Sequence, residues 1–112
     1  MRMPPQLQSM MKKIQKLQEN LEKLENELAE KTVSVQVGGG MVTVTANGKL
    51  EIVKVEVEEE LLSPEEKEML QDLVVAGVNE ALRRARQMRE EEMAKLTAEF
   101  KIPPGMNIPG LF

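Results

Sequence analysis

Leu7, Met10, Ile14, Leu17, Leu21, Leu24 and Leu28 step by three and four without a break. That spacing is an a/d heptad seam, and it holds for three full heptads. It predicts one amphipathic helix over residues 6–31, entered through Pro4 and Pro5, because proline suits the first helical positions. At about 1.5 Å per residue this helix is roughly 40 Å long, longer than a small sheet covers. Part of it must project and pack on another helix or a second chain. The sequence has 112 residues, room for one domain. So short a chain buries a limited fraction of its surface, which makes oligomerisation an expected source of stability.

The pattern then switches to period two over residues 32–58. Val33, Val35 and Val37 alternate with Ser34 and Gln36, and Val42, Val44 and Ala46 alternate with Thr43 and Thr45. Asn47-Gly48 is a strong two-residue hairpin signal, since a type I′ turn needs positive φ at both central residues. A third strand carries Val53, Val55 and Val57 against Lys54, Glu56 and Glu58. Ile52 beside Val53 breaks the phase and predicts a bulge or two-sided burial. The three strands make an antiparallel meander.

Helical spacing returns over 63–98. Ser63-Pro64-Glu65-Glu66 reads as a capping box with proline at the first helical position. Met69, Leu70, Leu73, Val74, Val78, Ala81, Leu82, Ala85, Met88, Met93 and Leu96 form the apolar stripe, and Gly77 marks a kink or a close helix contact. Residues 101–112 are too rich in proline and glycine for regular structure and read as a flexible tail after a single domain, 1–100. The expected fold is two-layer α/β, in the order α-β-β-β-α.

Absences narrow the chemistry. There is no cysteine and no histidine, which removes disulfides, Cys-ligated zinc, Ser–His–Asp and Cys–His catalysis within one chain. No run reaches the roughly 20 apolar residues needed to cross a bilayer, and the first residues lack a signal-peptide core. A soluble cytoplasmic protein is expected. Gly38–Gly40 lacks the spacing of a phosphate loop or a dinucleotide fingerprint, and reads as a permissive loop between strands. Glu58–Glu60 and Glu90–Glu92 read as solvated faces, because consecutive side chains rarely converge on one cation. A carboxylate-based enzyme would need a pocket lined by several acids. No cofactor, metal or small-molecule substrate is expected.

Charge is segregated along the chain. The net charge is −4, yet Arg2, Lys12, Lys13 and Lys16 stand in residues 1–18 with no acid among them. Arg83, Arg84, Arg86 and Arg89 form a second basic run, with no acid from 81 to 89. Two readings compete. The basic segments are a phosphate-binding surface, or they are solvated helix faces with acid partners such as Glu80 for Arg84. Aromatic residues are only 2% of the chain, which disfavours single-strand stacking platforms and points any nucleic-acid contact to a duplex backbone.

Residues 64–83, the stretch Gly39 to Gly48, the Met- and Gln-rich first helix and the ending from Pro103-Pro104-Gly105 to Phe112 resemble the YbaB/EbfC family of bacterial nucleoid-associated proteins. The resemblance covers nearly the whole chain. It implies the same α-β-β-β-α fold and a homodimer whose projecting helices are likened to tweezers. It further implies binding to double-stranded DNA with weak or variable sequence preference, in the cytoplasm and nucleoid, with an influence on nucleoid organisation and gene expression and no catalysis. By resemblance, DNA contact falls to the projecting helices, at Lys12, Lys13, Lys16, Arg83, Arg84, Arg86 and Arg89. The alternative is a non-catalytic module whose projecting coiled-coil helices bind a protein of DNA repair or replication through Met10, Met11 and Met88.

Overall fold

A computed structural model describes residues 4–100. The elements are α1 (Pro5–Glu30), β1 (Thr32–Val37), β2 (Val42–Asn47), β3 (Ile52–Val57) and α2 (Lys67–Glu99), with two 3₁₀ turns, Glu59–Leu61 and Pro64–Glu66, leading into α2. The sheet order is β1-β2-β3, antiparallel throughout. The expected meander and both helices are therefore present; the tail 101–112 lies outside the described residues.

Alternation decides the two faces of the sheet. Val35, Val42, Val44 and Ala46 point to one side and are buried with Leu61, Ala81 and Ala85. Ser34 and Thr45 point to the other, where their hydroxyls hydrogen-bond at 2.8 Å. α2 crosses the apolar side. Its contact stripe is made of small residues, Gly77, Ala81 and Ala85, all buried. A Cβ at Gly77 would stand 2.7 Å from Val44 Cγ2, closer than such atoms approach. Gly77 thus serves close helix–sheet contact, and α2 runs on through it without interruption.

Two local expectations are corrected. Gly48 is not in the left-handed region; Leu50 is, at φ 64°. The Asn47 side chain sets this loop. Its Oδ1 accepts from the amides of Lys49 (2.9 Å) and Glu51 (3.1 Å), while the Leu50 amide donates to the Asn47 carbonyl at 3.0 Å. The result is a three-residue connection rather than a two-residue type I′ turn. The register jumps from Thr45↔Lys54 to Ala46↔Ile52, which leaves Val53 as the extra residue of the expected bulge. At the start of α2, Ser63 makes no side-chain capping bond. The Pro64–Glu66 turn intervenes, and the Glu66 amide donates to the Ser63 carbonyl instead, at 3.0 Å.

The second cluster lies off the sheet. Leu17, Leu21, Leu24 and Leu28 of α1 are buried with Leu96, and Met93 and Phe100 pack beside them. Lys31 pairs with Glu92, whereas Lys13 and Lys16 line one cleft with Glu99 and Phe100. The helices therefore run antiparallel as an arm beyond the sheet, and the molecule is elongated at 75 × 22 × 19 Å.

Candidate nucleic-acid interface

The arm joins the body at a polar joint. The Gly48 amide donates to the carbonyls of Leu28 (2.8 Å) and Lys31 (3.0 Å), satisfying carbonyls that the end of α1 leaves open. A Cβ on Gly48 would meet the Leu28 carbonyl at 2.8 Å, so only glycine fits. Arg89 closes the joint from α2. It donates to the Gly48 carbonyl at 3.0 Å and forms a two-point ion pair with Glu25. Its side chain is 28% exposed. Arg89 thus ties α1, the β2–β3 loop and α2 together, a role its place in a basic run does not reveal. Glu25 is 64 residues away, and no spacing rule pairs them.

Arg83 and Arg84 are engaged by one carboxylate. Arg83 makes a bidentate pair with Glu80, from Nε at 2.9 Å and Nη2 at 2.6 Å. Arg84 Nε donates to Glu80 Oε1 at 3.0 Å. The Arg83 and then the Arg84 hydrogen bonds hold the Glu80 carboxyl down at about 2. The Glu80–Arg84 pairing expected from spacing is present, and Arg83 shares it. Glu92 is likewise lowered, by Lys31 first and Lys95 second.

Lys12, Lys13, Lys16 and Arg86 are exposed, and among the described residues they form no ion pair. The three lysines sit on the outer half of α1, at the tip of the arm. Arg83, Arg84 and Arg86 sit on the body, on the order of 20 Å back along α2 from the Phe100 end. The structure therefore keeps the two basic groups of one chain apart. Among the described residues no three acidic side chains gather as a metal site.

A two-layer body with a two-helix arm, acidic overall and with three lysines, unpaired among the described residues, on the outer half of the arm, defines a small α+β class of α-β-β-β-α order. The family follows from comparison. Residues 3–100 match the YbaB/EbfC DNA-binding family, and the chain belongs to that family. It is 47% identical over 108 residues to a nucleoid-associated protein of Alkaliphilus metalliredigens, covering 96% of this chain and 90% of that one. It is 48% identical over 97 residues to a nucleoid-associated protein of Pelotomaculum thermopropionicum, covering 87% and 92%. The crystal structure of an uncharacterized protein, HP0035 from Helicobacter pylori, shares the fold with a TM-score of 0.70 at 22% identity, covering 85% of this chain and 98% of that one.

Proposed function

We propose that the protein is a nucleoid-associated, non-catalytic homodimer that binds double-stranded DNA through its backbone, with weak sequence preference, in the bacterial cytoplasm. The observation that carries this reading is the trio Lys12, Lys13 and Lys16 on a projecting helix, exposed and in no ion pair among the described residues, with Glu99 the one carboxylate that lines a cleft with Lys13 and Lys16. Lysines act on phosphate as point charges and carry no sequence information by that contact, which accounts for weak preference. Arg86 is the arginine of the body that makes no ion pair among the described residues, and Arg83 and Arg84 are held in part by Glu80. Dimerisation is supported by apolar side chains that no element covers among the described residues: Val53 and Val55 on the edge strand β3, at 51% and 42% exposure, and Val75 on α2. Two protomers place two basic tips on one duplex.

Fluorescence anisotropy with a mixed-sequence duplex tests the proposal. Lys12→Glu with Lys13→Glu should raise Kd at least about tenfold at low salt, by reversing two phosphate contacts per protomer. Unchanged affinity in this variant would exclude the arm tip as the contact. The exposed Met10 and Met11 favour a second reading, a protein partner of DNA repair or replication. That contact would survive the lysine reversals.

A further inference from the structure

β3 has one paired edge and one open edge among the described residues, because the sheet order is β1-β2-β3. Its apolar face is open as well. Val44 and Val55 stand opposite each other in the β2–β3 register, so they share a face. Val44 is 0% exposed under α2, whereas Val55 is 42% exposed. β1, the other edge strand, is closed on that face, where Val35 is buried. Backbone alternation gives the open edge a fixed phase. The Glu58 amide donates to the Met41 carbonyl at 2.9 Å. Lys54, Glu56 and Glu58 therefore turn their backbone groups to β2, and Val55 and Val57 turn theirs outward.

We propose that β3 pairs antiparallel with β3 of a second copy, about a two-fold axis at Val55, so that two three-stranded sheets join as one of six strands. The inference rests on the homodimer reading above and names its contact. Val55 then meets the partner's Val55, and Val53 meets the partner's Val57. Lys54 stands opposite the partner's Glu56, and Glu56 opposite the partner's Lys54. Both charged side chains are exposed, and within one chain they approach each other only to 3.6 Å. Charge selects this register. An axis at Lys54 sets two lysines against each other, an axis at Glu56 sets two glutamates, and like charges directly opposite are destabilising. A register shifted by one residue sets valine against charge and mixes the two faces. Residues directly opposite each other share a face, so the two exposed Val55 side chains cover each other, and both α2 helices lie on the same side of the joined sheet. The bulge at Val53 bounds the pairing to residues 53–57.

Charge reversal tests the register on the full chain without DNA. Lys54→Glu and Glu56→Lys each set like charges across the axis, and each should weaken the dimer about tenfold in sedimentation equilibrium. Both positions are exposed, so circular dichroism should stay unchanged. The two variants mixed restore every unlike pair. With one of them ¹⁵N-labelled, native mass spectrometry should show the mixed dimer above its statistical share. Lys54→Glu with Glu56→Lys in one chain should restore self-association. Val55→Cys, in a protein that otherwise has no cysteine, should form a disulfide-linked dimer on oxidation, because facing Cα atoms in such a pair stand about 5.5 Å apart. A dimer indifferent to both reversals, or mixed dimers in the statistical proportion only, would overturn the pairing and leave the homodimer reading standing. A wild-type chain that stays monomeric would overturn both.

Discussion

Arg89 and Glu80 show how like charges in one sequence run come to different uses. Arg89 has three hydrogen bonds to two elements and little solvent. Its loss strands Glu25 and a loop carbonyl. Arg89→Ala should therefore cost about 1–2 kcal/mol, read as a lower midpoint in urea unfolding. Arg86→Ala, exposed and unpaired, should stay within about 0.5 kcal/mol. Glu80 is a surface residue, and its ion pairs contribute little to stability. Its folded pKa of about 2 lies below the ordinary glutamate value of 4.5. The stability these pairs provide is complete above the unfolded value and is lost as pH falls through about 2. A carbon-detected titration should place the Glu80 carboxyl below the ordinary glutamate range. Glu80→Gln should release Arg83 and Arg84 and tighten DNA binding about twofold or more at low salt, with the unfolding midpoint nearly unchanged. The arginines themselves were legible in sequence, but their availability was not. An i, i+4 partner such as Glu80 can be read from spacing, whereas Glu25 meets Arg89 only through the fold.

At the scale of elements, the inner seam from Leu17 to Leu28 and the alternation of β1 and β2 are legible because each has a clean period that one buried face enforces, whereas Val53 and Val55 of β3 alternate in sequence but stand exposed. The misreadings fall where side chains compete with backbone. Asn47 bonds two amides of its own loop and so replaces the expected two-residue turn with a longer one. Ser63 leaves its capping oxygen unused because a 3₁₀ turn precedes α2. Gly77 was legible as either kink or contact, and packing decides for contact. Val44 is fully buried beneath it and cannot yield. Gly77→Val should therefore cost about 2–3 kcal/mol by overpacking and lower the thermal midpoint by roughly 10 °C. A midpoint unchanged by this substitution would mean that α2 does not sit on the sheet as described.

At the scale of the molecule, function rests on distance. The sheet core stays in the body, and Lys12, Lys13 and Lys16 stand out along α1, so on the proposed reading a chain of net charge −4 presents a cationic contact to DNA. On the proposed reading two copies raise the affinity, because three lysines give few phosphate contacts. Val53→Asp should shift the protein toward monomer in sedimentation equilibrium while its circular dichroism stays the same, since Val53 is half exposed in the bulge. The monomer should bind a duplex far more weakly than the dimer.

The most direct test of backbone binding by the arm is the salt dependence of DNA affinity. Six lysines in a dimer, each on a phosphate, predict a slope of log K against log salt of about −5 between roughly 50 and 200 mM. Lys16→Gln, which removes one contact per protomer, should flatten that slope by about 2. A slope near zero, or no binding at 50 mM by a folded dimer, would contradict the assignment of the arm tip to DNA.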